Sequence, residues 1–191
     1  MERVPKNQID QFLHIRGAVV PAKINWLIDK LESMSFLDMN QTGRNDVVLH
    51  ICQEDNDLIS TELNLWIKND FETILRSHAD SMLGNKSHFN DYGRVFYLTI
   101  MKYPKNSGIG RHSDIRDGIT NKFVSAICYI NDNYEGGELV IFDNSSLPVH
   151  IKPSAGDVVL LGHGVEHEAM PVTNGEKYVF VFYYDIDLPA S

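Results

Sequence analysis

Apolar positions fall into two textures along the chain. After a short extended run from Gly17 to Val20, Ile24, Leu27, Ile28 and Leu31 recur at i, i+3, i+4 and i+7, the period of a helix with one apolar face. Pro21 stands at the first position of that helix, where a missing N–H breaks no intrahelical bond. Asp46 to Ile51, DVVLHI, reads as a strand, and Ile59, Leu63, Ile67, Phe71, Ile74 and Leu75 predict a longer helix ending near Gly84. Beyond Tyr92 the period changes. Arg94 to Tyr103, Lys122 to Ile130, Glu138 to Phe142, Pro148 to Ile151, Asp157 to Leu161 and Tyr178 to Tyr184 are short β-rich runs. Turn residues separate several of them: Gly136-Gly137, Asp143 to Ser146, Ala155-Gly156 and Asn174-Gly175. Many short strands with regular turns predict a sandwich or barrel, one face covered by the two helices. The expected class is α+β, one domain over 1–191, with 1–92 mainly helical support and 93–191 the β core.

Composition narrows the setting. A chain of 191 residues, 43% hydrophobic and 23% charged, suits one globular domain. No apolar run approaches the roughly 20 residues that span a bilayer. The start, MERVPKNQID, lacks the apolar block of a secretory signal, so a soluble, cytoplasmic protein with no membrane partner is expected. Cys52 and Cys128 lie in apolar strand-like runs with no second Cys at a metal spacing, which predicts two buried free thiols. A net charge of −9 argues against a broad nucleic-acid surface. Lys102, Lys105, Arg111, Arg116 and Lys122 are locally basic, but Asp114 and Asp117 dilute them into a mixed solvated face.

The candidate chemistry begins at Tyr103 to Asp114, YPKNSGIGRHSD. In a strand, His112 and Asp114 point to one face, where an imidazole and a carboxylate can meet one metal. His167 can supply a third ligand. Two neutral imidazoles and one carboxylate leave opposite positions open, the arrangement by which iron(II) takes a co-substrate and dioxygen together. His163 complicates the choice, because HGVEH has two His at i, i+4, the spacing of a helical zinc site. Gly162, Gly164 and the strand-like residues before them disfavour that helix. His150 is expected to face solvent or a neighbouring strand, and His78 and His88 to have surface or capping roles.

Taken together, Tyr103, H-S-D at 112 to 114, E-G-G-E-L at 135 to 139, G-D at 156 to 157 and H-E-A-M-P-V-T-N-G-E-K at 167 to 177 resemble the iron(II)- and 2-oxoglutarate-dependent dioxygenases of the prolyl hydroxylase (prolyl 4-hydroxylase-like) type. The resemblance covers roughly the carboxy-terminal half. It implies a double-stranded β-helix, or jelly roll, over 93–191, carrying the metal site, with the amino-terminal helices packed on one face. It implies His112, Asp114 and His167 as the iron ligands, and the spacing from His167 to Lys177 selects His167 over His163. Lys177 then pairs with the distal carboxylate of 2-oxoglutarate, as a buried dicarboxylate requires a cation. Tyr103 and Tyr129 resemble tyrosines whose hydroxyls contact that co-substrate. Gly110 departs from the pattern, since many relatives carry an aromatic residue there, and the departure implies a wider entrance or a changed substrate.

The implied activity consumes 2-oxoglutarate and dioxygen, yields succinate and carbon dioxide, and hydroxylates an unactivated C–H, with ascorbate as a further candidate cofactor. The resemblance is closest for a peptidyl proline in a peptide or protein substrate. Another residue, a free amino acid or a nucleic-acid base stands as an alternative substrate. A non-catalytic metal-binding jelly-roll interaction module is the reading from a different class, and Lys177 argues against it, since such a module has no need to bury a cation.

Overall fold

The computed structural model of the chain describes residues 12–32, 47–51, 66, 70–71, 73–75, 77–78, 95–114, 122–142, 147–162 and 164–186. Within them the elements run β1 (Phe12–Ile15), α1 (Pro21–Glu32), β2 (Val47–Ile51), β3 (Val95–Tyr103), β4 (Ile109–His112), β5 (Lys122–Tyr129), β6 (Glu135–Gly136), β7 (Leu139–Phe142), β8 (Val149–Ile151), β9 (Val158–Gly162), β10 (Glu166–Ala169), β11 (Val172–Asn174) and β12 (Lys177–Ile186). A six-stranded sheet has the order β1-β9-β5-β12-β3-β2, a four-stranded sheet the order β4-β10-β7-β8, and β11 pairs with β6. All the pairings are antiparallel.

Strand alternation sorts the six-stranded sheet into two faces. Ile100, Val124, Ala126, Cys128, Val158, Leu160, Phe180 and Phe182 point to one side, where Ile24, Leu27 and Leu31 of α1 close over them with Trp66, Phe71 and Leu75. Phe71 stacks on Phe182, ring centres 4.0 Å apart. Tyr103, Ile127, Tyr129, Val159, Leu161, Val179, Val181 and Tyr183 point to the other side and meet Leu139, Ile141 and Ile151 of the four-stranded sheet. The result is a jelly roll whose larger sheet carries α1 on its back. The i, i+3, i+4, i+7 stripe of α1 is this buried face, with Ile28 partly buried beside it. The longer helix predicted from Ile59 to Gly84 falls largely outside the described residues, as do Cys52 and His88.

Two expectations need correction. Gly17 to Val20 is not an extended run: Arg16 and Gly17 form a turn, and the strand of that region is β1, immediately before it. Gly17 takes φ 58° and gives its N–H to the Asp157 carboxylate at 2.8 Å, so the chain bends there and cannot run extended. The second correction concerns Tyr103 to Asp114. β4 ends at His112, and Asp114 lies beyond the strand.

Asp157 ties this corner together. Its carboxylate accepts from His14 Nε2 at 2.9 Å, Gly17 N–H at 2.8 Å and Ser154 N–H at 3.0 Å, joining β1 to the turn before β9. Burial pushes the Asp157 carboxyl up, but the two backbone N–H groups and His14 together hold it below the ordinary range. Cys128 is a fully buried free thiol, pushed up by burial and by the nearby Asp157 charge. Among the described residues no helix is long and apolar enough to cross a membrane.

Candidate active site

The site forms at one end of the space between the sheets. His112 and His167 are directly paired across β4 and β10, and Ala169 pairs with Ile109, so Gly110 and Arg111 together oppose the single residue Glu168. This is a β-bulge. It resets the alternation, so that Ile109, which packs against the core between the sheets, and His112 can share a face although they stand three positions apart. Arg111 instead pairs outside with Glu166 and lies over the Phe142 ring at 4.1 Å.

His112, Asp114 and His167 each direct one ligand atom to a common point, all within 4.8 Å of one another. His112 Nε2 is 3.8 Å from Asp114 Oδ1, and His167 Nε2 is 3.9 Å from Asp114 Oδ2. Each imidazole is oriented by a backbone carbonyl two residues earlier. His112 Nδ1 meets Gly110 O at 2.8 Å and His167 Nδ1 meets Val165 O at 3.1 Å. A carbonyl only accepts, so both rings carry a proton on Nδ1, and in a neutral ring so oriented it is Nε2 that keeps the lone pair a metal requires. Burial lowers the His167 pKa; the Asp114 charge opposes this and the His112 charge adds to it. The neutral, ligating form of His167 is thereby favoured.

The carboxylate is held from the other sheet. Ser125 Oγ donates to Asp114 Oδ2, and Tyr183 OH donates to Oδ1 at 3.3 Å. Sequence reading missed both hydroxyls. A usable signal existed in the period of two from Lys177 through Val179 and Val181 to Tyr183, which places Tyr183 on the inner face.

Lys177 is 2% exposed and begins β12, opposite Tyr103 of β3. Its ammonium donates to Gly137 O at 3.1 Å and lies 4.2 Å from the centre of the Tyr103 ring. No carboxylate pairs with it among the described residues. Burial first, then the Lys152 charge, lower its pKa to about 8, with Glu138 opposing. Val179, next on that face of β12, pairs with Tyr129. Burial, and then the neighbouring Tyr134 and Tyr103, push the Tyr129 phenol well above its usual range, so it stays a neutral donor. Tyr103 OH lies 3.2 Å from Met101 Sδ.

The EGGEL stretch shapes this end. Gly136 and Gly137 take φ 68° and 66°, and a Cβ on Gly136 would lie 2.5 Å from Pro171 O. A Cβ on Gly137 would press the Tyr134 ring at 3.0 Å. The Tyr134 hydroxyl is buried and has no hydrogen-bond partner among the described residues, a further group that the sequence did not flag.

The remaining expectations sort simply. His150 is exposed on β8, His78 lies 2.9 Å from Ile74 O, and His163 falls outside the described residues. Lys102 pairs with Glu176 at 2.8 Å and Arg111 with Glu166, so two of the basic residues there form mixed pairs.

Residues 98–185 match the model of the 2OG-Fe(II) oxygenase superfamily. No curated protein matches the chain by sequence. Solved structures share its fold at low identity. A prolyl-4-hydroxylase from Pseudomonas putida is 17% identical, aligned over 93% of both chains with a TM-score of 0.68. The non-haem α-ketoglutarate-dependent epimerase SnoN of nogalamycin biosynthesis is 13% identical over 91% of this chain and 76% of its own, at 0.69. A Trichoplax adhaerens prolyl hydroxylase, solved with a peptide fragment of the hypoxia inducible factor oxygen degradation domain, is 17% identical over 92% and 84%, at 0.61. The jelly roll and the family match agree that the chain carries a 2OG-Fe(II) oxygenase domain over residues 98–185, that of a dioxygenase using iron(II) and 2-oxoglutarate.

Proposed function

We propose that His112, Asp114 and His167 hold the iron, that Lys177, Tyr103 and Tyr129 hold 2-oxoglutarate, and that the chain hydroxylates a peptidyl proline. One observation carries this reading: two imidazoles with Nε2 free and one carboxylate converge within 4.8 Å, in the same interior as a buried lysine that lacks a carboxylate partner among the described residues. The donor set suits iron(II), because three single donors leave room for a chelating co-substrate and for dioxygen. The unpaired ammonium and the orphan Tyr134 hydroxyl, in the cluster that holds Tyr103 and Tyr129, suit a polar ligand between the sheets.

Held by His112, Asp114 and His167, iron(II) would supply the oxidative chemistry that links decarboxylation of 2-oxoglutarate, to succinate and carbon dioxide, with transfer of the second oxygen atom of dioxygen to a substrate C–H. The chain's own residues bind and orient. Lys177 anchors the distal carboxylate by a charge-assisted hydrogen bond, and Tyr103 and Tyr129 wall the co-substrate and present hydroxyl donors. Val179, Val181, Ile127 and Ile141 keep the interior dry.

The prolyl hydroxylases among the structural relatives support a peptide substrate. So does β4, which ends its sheet and pairs only with β10 among the described residues, leaving an edge beside His112 for an extended segment. A second reading, a small-molecule substrate, is favoured by the equal likeness to SnoN, 0.69 against 0.68 for the bacterial prolyl hydroxylase. We place the reaction in the cytoplasm, where a free thiol such as Cys128 stays reduced.

Anaerobic addition of iron(II) and 2-oxoglutarate should give a metal-to-ligand charge-transfer band; folded protein without that band would sink the ligand assignment. Succinate release, with and without ascorbate, is then measured against proline-containing peptides. Proline is supported by stimulated turnover with a gain of one oxygen in peptide mass. Stimulation by small molecules alone would overturn it.

A further inference from the structure

We propose that Ser125 and Tyr183 are positioning residues that act as a pair to set the Asp114 carboxylate for ligation through a single oxygen. The inference rests on the ligand reading above. Asp114 stands beyond the end of β4, so no strand ladder fixes its backbone as one fixes His167. Its carboxylate is fixed from across the sandwich instead. Ser125 of β5 and Tyr183 of β12 are direct cross-strand partners, one position on the larger sheet, and each gives its hydroxyl to a different oxygen of Asp114.

The placement of Ser125 indicates that it serves this contact. It is fully buried in an otherwise apolar strand, where Val124 and Ala126 face α1 and Ile127 and Tyr129 face the interior. A hydroxyl buried there is costly unless bonded, and the bond it makes is to the carboxylate. A free carboxylate rotates about its Cβ–Cγ bond and can give a metal one oxygen or two. A second oxygen on the metal would occupy a position that the co-substrate or dioxygen needs. Donors on both oxygens oppose that rotation, and whichever oxygen ligates, the other keeps a hydroxyl partner.

The test uses the full chain and Co(II) alone, without 2-oxoglutarate, read by titration calorimetry and by the visible d–d spectrum. Tyr183→Phe and Ser125→Ala each remove one donor, while Ser125→Thr keeps it. Loss of such an outer partner typically weakens metal binding by about 10–100-fold. Each deletion is expected to weaken Co(II) by that factor and alter the d–d band intensity, and Ser125→Thr to restore both. A purely structural role would lower the melting temperature of the metal-free protein and leave Co(II) affinity and spectrum unchanged, which overturns the proposal. Should Ser125→Ala fail to fold, Tyr183→Phe, which keeps its ring, decides alone. Wild-type protein that does not bind Co(II), or an Asp114→Ala variant that binds it equally well, would overturn the ligand reading itself and this inference with it.

Discussion

Lys177 and Tyr103 face each other across β12 and β3, with the ammonium 4.2 Å from the centre of the phenol ring and, among the described residues, one carbonyl contact, at Gly137. The charge is thus held by a ring face and one backbone oxygen, which is less than a buried ammonium needs. Replacing it should separate binding from stability. Lys177→Met is expected to weaken 2-oxoglutarate roughly 10–150-fold, the loss of a charge-assisted contact of about 1.5–3 kcal/mol. The fold should gain about 1–3 kcal/mol from removal of the buried charge. Calorimetry and urea unfolding on one sample check both; unchanged affinity would remove Lys177 from the site.

The same lysine sets a pH dependence. Its folded pKa of about 8 lies below the ordinary 10.5, so from about pH 8 to 10.5 the unfolded chain binds the extra proton. Stability from this group therefore rises with pH across that window and is lost again as pH falls through about 8. The difference is roughly 3 kcal/mol. Co-substrate affinity runs the other way, falling above pH 8 in the wild type. Binding at pH 8.5 should take up a proton, measurable by calorimetry in buffers of different ionisation enthalpy. Lys177→Met should show neither effect.

Metal should stabilise the fold through the three converging ligands. Ni(II) at about 100 times its dissociation constant contributes about 2.7 kcal/mol, raising the melting temperature by roughly 5–10 °C, reversed by a chelator. His112→Ala and His167→Ala should lose this shift and succinate production together. A variant that kept both would not be a ligand variant.

Asp157 offers a test far from the metal. Asp157→Ala strands the Gly17 and Ser154 N–H groups and the His14 ring, and should cost about 2–4 kcal/mol in urea unfolding. Because its native carboxyl is held below the ordinary range, its contribution is present above the unfolded pKa and lost as pH falls through the native one. The variant should therefore show a flatter acid limb than the wild type.

Two glycines at the start of β4, Gly108 just before it and Gly110 within it, should respond unequally to Ala. A Cβ on Gly108 would lie 2.6 Å from Ala169 O and 3.0 Å from Pro171 N, both backbone atoms, whereas one on Gly110 meets nothing within 4 Å. Gly108→Ala should destabilise by about 1–3 kcal/mol and Gly110→Ala by less than about 0.5 kcal/mol. A larger residue at Gly110, such as Trp, should leave the iron and 2-oxoglutarate band intact while slowing substrate-stimulated succinate release.

Local rules account for what could be read from the residues alone. The stripe of α1 and the apolar runs of β3, β5, β9 and β12 carry their own period, and Gly156 and Gly175 mark turns through positive φ of 89° and 78°. The short strands β6, β10 and β11 were hidden. β10 reads EHEA, so no apolar alternation announces it, although it carries His167. The bulge at Gly110 and Arg111 is a property of pairing with β10 and has no signature in β4 itself. The strand period places Tyr183 on the inner face, but what matters about Ser125, Tyr134 and Tyr183 is which atoms across the sandwich they meet or, among the described residues, fail to meet, and no local pattern gives that.

His112 and His167 belong to the four-stranded sheet, whereas the hydroxyls that steady Asp114 belong to the six-stranded one. The three ligand atoms thus measure the separation of the two layers. A wedge or a void introduced well away from the imidazoles, at Ile141 or Val181 for instance, should reach the metal as a detuned coordination spectrum before it is seen as unfolding.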